Sequence, residues 1–301
     1  MDFSYAGGSL SVKIADLKKI ESQLHNLGDK PNDDIVGFLN HLQIGGTVEA
    51  KDFSSLIINS EKFLFKQLVS LLDDTHDYLL DFVYADEILT FLNLKLNKVT
   101  YESKFKSFDH LHLSLLTLLE KELPGHQAHY LKLLTDVEKE VKSRGREQEA
   151  RMTRKYYDYL SSYLSAHPFL KAKITMINLR TLYRARCLDF SLESFKDELI
   201  GDDVTREKFA NLYRLDDRQI VSALRDKLDV KASATYEAMI NDPQAIDKHL
   251  DDYLYHKVKD LVFSIQFVDL FMLYAYQYRR VIKLLKKIYY RVEEYETNRH
   301  H

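Results

Sequence analysis

The groups in this sequence best suited to chemistry are charged and polar side chains at helical spacing. Arg180 and Arg184 stand four apart in Ile174-Thr-Met-Ile-Asn-Leu-Arg-Thr-Leu-Tyr-Arg-Ala-Arg186, so a helix sets both guanidiniums on one side, a turn from each other. Two permanently charged, planar forks at that separation suit carboxylates, within the chain or on a partner. Met176, Leu179 and Tyr183 share an apolar stripe, and Asn178, Thr181 and Ala185 share a stripe of small or short polar groups that another backbone can approach closely. The same spacing also fits an ordinary core helix with a solvated basic face.

Other candidates are weaker. Asp109, His110, His112, His126 and His129 form the densest histidine group. A metal needs ligands converging within about 2.1 Å of one ion, and His110 and His112 diverge on a helix. They read as exposed histidines near a turn, and no metal is expected. The acid pairs Asp33-Asp34, Asp73-Asp74, Asp202-Asp203, Asp216-Asp217 and Asp251-Asp252 mostly fall where helices begin, where anions are favourable. The single cysteine, Cys187, lacks the surroundings of a nucleophile and reads as a small buried residue. Phosphate-cradling glycine loops, the serine-elbow G-x-S-x-G and the zinc motif H-E-x-x-H are all missing. The expectation is no catalytic site and no cofactor.

The elements that position these residues should be helices. Only nine glycines and four prolines occur in 301 residues, and 47–123 and 244–301 contain neither. That leaves little turn chemistry for a sheet. Apolar residues make up 45% and charged ones 30%, enough for two or three compact units of ~100 residues each. A net charge of −3 gives no polyanion-binding signature. Arg144, Arg146, Arg151, Arg154 and Lys155 are nearly neutralised by Glu138, Glu140, Glu147 and Glu149, so nucleic-acid binding is not expected. One cysteine fits a reducing compartment. No signal peptide is read at the N-terminus. The most apolar window, Leu261 to Tyr278, is interrupted by Asp269 and two glutamines, so no membrane span is expected.

In chain order, the periodicity predicts a helix from about Val12 to Leu27, stopped by Gly28. Pro31 and its acidic neighbours open a second, with Ile35, Phe38, Leu39 and Leu42 on one face and Gly45-Gly46 ending it. Residues 51–97 read as two long helices, separate or continuous near Asp73-Asp74-Thr75. A leucine-rich helix over 104–123 ends at Pro124-Gly125. One or two helices follow over 127–164, with Gly145 a candidate break, and Tyr156, Tyr157, Tyr159 and Tyr163 pack on the core with their hydroxyls at the rim. His167-Pro168 marks a boundary. Thr205 is the expected cap of a helix through Leu212, Asp216 or Asp217 starts another, and Asp242-Pro243 another still. The last helix carries Arg279, Arg280, Lys283, Lys286, Lys287 and Arg291 without an acid between them. That run is either a solvated face or a docking surface for an acidic partner.

The stretch INLRTLYRAR, followed by LIGDDVTREKFANLY, is similar to the Asn-(Leu/Ile)-(Lys/Arg)-Thr-x-x-Arg-Ala-(Lys/Arg) helix of one family, the C subunits of the prokaryotic V-type ATPases, counterparts of the d subunit of the eukaryotic V-ATPase. Thr175 stands where members carry an acid, and Gly201-Asp202 where they often carry Gly-Gly. The opening SYAGGSLSVKIADL also looks like the family's start. TFLNLK at 90–95 echoes TMINLR, with Asn93 for Asn178 and Lys95 for Arg180; LYAYQYRRVIK echoes it again, with Tyr278 for Asn178 and Arg280 for Arg180.

The resemblance implies an all-α, funnel-like protein of three related helical domains in pseudo-threefold arrangement, about 1–100, 101–200 and 201–301. It implies a non-catalytic central-stalk component of a rotary machine for ion transport or ATP synthesis, coupling the central shaft to the membrane proteolipid ring from the cytoplasmic face. Asn178, Arg180, Thr181, Arg184 and Arg186 would then be structural or partner contacts, and Arg279, Arg280, Lys283 and Lys287 a docking face. The alternative is a soluble helical enzyme or regulatory binding module with a site assembled from scattered residues.

Overall fold

The computed structural model describes residues 3–27, 32–46, 50–72, 76–97, 124–141 and 145–299. Among these, every regular element is a helix, as the scarcity of glycine and proline predicts. They are α1 (Phe3–His25), α2 (Asn32–His41), α3 (Phe53–Leu71), α4 (Tyr78–Val83), α5 (Ala85–Leu96), α6 (Pro124–Glu140), α7 (Arg146–Leu164), α8 (Pro168–Cys187), α9 (Leu192–Glu198), α10 (Asp203–Tyr213), α11 (Asp217–Lys227), α12 (Val230–Asn241), α13 (Ile246–Val258) and α14 (Phe267–Arg299). Short 3-10 turns at Pro243–Ala245 and Lys259–Phe263 precede the last two. Among the described residues no helix is long and apolar enough to cross a membrane. The chain divides into two compact units, α1–α4 with α14, and α5–α13.

The first unit is built along α14, against which α1, α3 and α4 pack. Leu10, Ile14, Leu17 and Leu24 of α1 are buried, as are Leu56, Ile57, Leu64 and Leu68 of α3 and Phe271, Ala275, Tyr278, Ile282 and Leu285 of α14. Each buried leucine or isoleucine contributes about 1.5–3 kcal/mol. That is why α1 begins at Phe3 rather than near Val12 and runs through Gly7-Gly8, although glycine in a helix costs about 1 kcal/mol. Residues 51–97 form three helices, not two. α3 is capped by Asp52, whose carboxylate accepts from the Ser55 N–H at 2.6 Å, and a second break falls at Tyr84, where the first unit ends and α5 opens the second.

The second unit is built around α8, against which α7, α9, α10, α12 and α13 pack. Phe169, Leu170, Ile174, Met176, Leu179, Leu182 and Ala185 are buried, so α8 is apolar over most of its circumference, as a helix inside a bundle must be. His167 caps it and Pro168 is its first residue, as the boundary there predicts. α6 begins at Pro124, where the leucine-rich stretch is expected to end; proline is at home in a first turn. The leucine-rich stretch itself, with Asp109, His110 and His112, lies outside the described residues. Gly145 does interrupt the chain, at φ +93°.

Several local expectations are corrected. The cap of α10 is Asp202, not Thr205; the Asp202 carboxylate accepts from the Thr205 N–H at 2.8 Å, so Thr205 is the third residue of the helix and is capped rather than capping. Asp216 caps α11 in a reciprocal box with Gln219. Asp242 makes no side-chain cap; Pro243 opens a 3-10 turn and α13 follows at Ile246. The four tyrosines of α7 differ in burial. Tyr156 and Tyr157 are fully buried while Tyr163 is exposed, so the Tyr157 hydroxyl is not at the rim. Its burial, with Asp86 nearby, pushes its pKa well above the usual value.

Candidate functional site

The motif helix α8 works as a bracket for the chain that follows it. Asn178 is fully buried. Its amide donates to the Ile200 carbonyl at 2.9 Å and its oxygen accepts from the Ile200 N–H at 3.0 Å. A primary amide has the donor and acceptor of a peptide group, so it can pair with both sides of one residue. A buried peptide group left unpaired is costly, which gives Asn178 a definite task. The next residue, Gly201, has φ +96°, and a Cβ there would lie 3.1 Å from the Ile174 side chain. Ile174 and Asn178 are one turn apart, so α8 meets this turn with an apolar and a polar group together. Of the short polar stripe read from the sequence, Asn178 makes this backbone contact, and Thr181 and Ala185 are buried.

Arg186 holds the far end of α10. It donates to the carbonyls of Tyr213 at 3.3 Å and Leu215 at 2.6 Å, and pairs with Asp217 at 3.1 Å. A cation at a helix C-terminus answers both the unpaired carbonyls and the dipole. Asn178 and Arg186 thus fix the two ends of the Ile200–Leu215 segment from one helix. Arg180 lies on the outer face and pairs with Asp247 of α13, with side-chain exposures of 46% and 79%. Arg184 is exposed. The two arginines share a face, as their spacing requires, but Arg180 already has its carboxylate within the chain. Cys187 belongs to the same exposed face, three residues beyond Arg184. It is not the buried small residue its type suggests, because position on the helix outweighs composition. Its thiol lies beside the Tyr183 hydroxyl, and a hydrogen bond between them raises the tyrosine pKa.

In the first unit, the last helix repeats part of this plan. Tyr278, which stands where Asn178 does, is buried, and its hydroxyl donates to the Ile44 carbonyl. Gly45 and Gly46 follow, Gly46 at φ +82° with its would-be Cβ 2.7 Å from the Phe63 ring. Burial is the main reason the Tyr278 pKa is pushed well up, with Tyr274, Glu61 and Tyr84 adding to it. Arg280, which stands where Arg180 does, donates to Glu21 of α1 at 2.9 and 3.1 Å, and Gln277 donates to the other Glu21 oxygen. Burial alone would lower the Arg280 pKa, but Tyr276 and Glu21 raise it.

Arg279 donates to the Val83 carbonyl at 2.9 Å over the Tyr84 ring, and Lys286 pairs with Glu61 at 2.9 Å. Lys283 and Lys287 are exposed. The basic run is thus partly internal: its acids are on α1 and α3, distant in sequence, which is why the last helix looks unanswered in the sequence. The other echo is fainter. Thr90 bonds back to the Asp86 carbonyl at 2.8 Å and Lys95 lies over the Phe91 ring, both within α5.

A contact the sequence did not signal is Asn40. Its amide donates to the Ala50 carbonyl at 2.8 Å and accepts from the Ala50 N–H at 2.9 Å, the same two-point grip as Asn178 on Ile200. Only the pairing of an asparagine with a nearby glycine turn could have hinted at it. Among the described residues no group of histidine, cysteine and acids converges as metal ligands would. What these side chains do chemically is hold backbone. The chain matches no family model and none of the curated proteins.

Proposed function

We propose that this chain is a non-catalytic coupling component of the kind the C subunits of prokaryotic V-type ATPases represent, joining a central shaft to the membrane proteolipid ring at its cytoplasmic face. On this reading it has three related helical domains, near 1–100, 101–200 and 201–301, in a funnel-like pseudo-threefold plan, and it uses no cofactor. The carrying observation is the repeated bracket. Asn178 and Tyr278, a hundred residues apart, each hold the backbone just before a positive-φ glycine turn. A repeat that preserves a backbone task while changing the side chain is what a duplicated helical domain leaves behind. A torque-transmitting part requires rigid elements tied end to end, and the ties described above are of that type. Arg184, Lys283 and Lys287, all exposed, are the groups offered to partners.

The test is recovery from native membranes. The full chain, captured with a tag, should bring the shaft proteins and the proteolipid in constant proportion. Substrate turnover by the purified chain, with neither partner recovered, would falsify the reading.

A further inference from the structure

Within the second unit, α7, α9 and α10 leave a cleft of about 410 Å³. Four cations line it: Arg154 from α7, Lys196 from α9, and Arg206 and Arg214 from the α10 end. Arg154 gives its donors to backbone, bonding the carbonyls of Leu199 at 3.1 Å, Lys196 at 2.7 Å and Asp197 at 2.8 Å. It closes the C-terminus of α9 and makes no ion pair among the described residues. Arg206 donates to the Gly201 carbonyl at 2.8 Å and pairs with Asp203. Lys196 and Arg214 have no side-chain partner among the described residues. Among the described residues the four cations therefore share one ion pair, with a carboxylate whose side chain is 95% exposed.

Asp197 and Glu207 also line the cleft, and both are exposed. Water and salt screen these carboxylates and, equally, the exposed Lys196 and Arg214, whereas Arg154 and Arg206 are half-buried. The Arg154 pKa is lowered, first by that burial and then by the neighbouring charges of Arg206 and Arg151, which outweigh Asp197 and Asp158. Four cations line the cleft against three carboxylates, Asp197, Asp203 and Glu207, which leaves the lining net positive, and an added anion would balance it. Leu192, Leu199 and Ala210 supply an apolar wall.

We propose that this cleft binds a phosphate group, as the free ion or as a monoester. A single carboxylate answers one guanidinium fork. A tetrahedral dianion offers enough oxygens to meet two forks and an ammonium together. The cleft is larger than a phosphate alone, which leaves space for the organic part of an ester against the apolar wall. This does not rest on the coupling function, and either can fail without the other.

The experiment is calorimetric titration of the full chain at constant ionic strength with inorganic phosphate, phenyl phosphate and acetate. Saturable one-site binding of phosphate, with acetate inert, is expected. In the double variant K196Q/R214Q, affinity should fall at least about tenfold, the loss of a charge-assisted hydrogen bond. Both side chains are exposed and have no side-chain partner among the described residues, so helical content should be unchanged, and circular dichroism checks this. R206Q should weaken binding similarly. Tighter binding of phenyl phosphate assigns the site to a monoester, and equal or weaker binding assigns it to the free ion; either supports the proposal. Equal heats for phosphate and acetate, or undiminished affinity in the double variant and R206Q, would overturn it.

Discussion

Asn178 in the second unit pairs with both backbone groups of Ile200, whereas Tyr278 in the first reaches only the carbonyl of Ile44. A phenol carries its donor and its acceptor on one oxygen, whereas a primary amide sets them on two atoms that can span the N–H and carbonyl of one residue. The first unit makes up the difference with Asn40, which takes both groups of Ala50. One unit holds its glycine turn with one side chain and the other uses two. The following arginines differ in the opposite sense. Arg180 and Asp247 meet in solvent, but Arg280 and Glu21 have exposures of only 24% and 15% and are joined by Gln277. Equal spacing in sequence has produced a surface pair in one place and an interior network in the other. The lesson is that a repeated position keeps its backbone task more faithfully than its energy.

Breaking the tighter bracket should cost most. Asn178→Ala leaves the buried N–H and carbonyl of Ile200 without partners, and unfolding by urea should show a loss of about 3–4 kcal/mol. Hydrogen exchange should place that loss in α8 and α10. Arg280→Met comes next, at about 2–3 kcal/mol, because it leaves the mostly buried Glu21 carboxylate without its cation and with only the Gln277 hydrogen bond. An effect on the first unit as small as that of Arg180→Met would show the network to be no more than a surface pair.

Tyr278→Phe removes one hydrogen bond and keeps the ring, so about 1–2 kcal/mol is expected. If it equals Asn178→Ala, the contrast between one bond and two is wrong. Asp202→Ala should cost about 1 kcal/mol as a lost cap. The Thr205 hydroxyl and N–H hold the Asp202 carboxyl below the usual carboxylate range. Its stabilisation is therefore present above the unfolded value and lost as pH falls through the lower folded one. The gap between variant and parent should be flat near neutrality and should close below about pH 4. Arg180→Met should change stability by less than about 0.5 kcal/mol, as exposed pairs do, and that difference should vanish in high salt.

Much of the local structure is legible in the sequence because it depends on near neighbours. His167-Pro168 starts α8, Asp216 starts α11, and the leucine spacing of α1 and α3 gives their buried faces. The failures have one form. Helix α1 extends through two glycines because packing on α14 outweighs propensity. Cys187 is exposed because its angular position matches Arg180 and Arg184. Tyr157 is buried because it shares a face of α7 with the buried Leu160 and Leu164. In each case a property of residue type gave way to direction. The candidate site was half legible. The short polar stripe marked Asn178 as a candidate contact, but no spacing named Ile200 as the residue gripped, and nothing marked Asn40.

The sequence alone determined that the chain is helical, because too few turn formers are present to build anything else and the apolar residues recur at helical intervals. It also determined which positions face inward along most helices, but the caps only in part: Asp216 does start α11, whereas Asp202 rather than Thr205 caps α10 and Asp242 makes no side-chain cap. Tertiary structure decided which charges are answered internally. Glu21 and Glu61 lie more than two hundred residues from the arginine and lysine they hold, and a hydrogen bond or ion pair depends on distance in space, which no local pattern encodes.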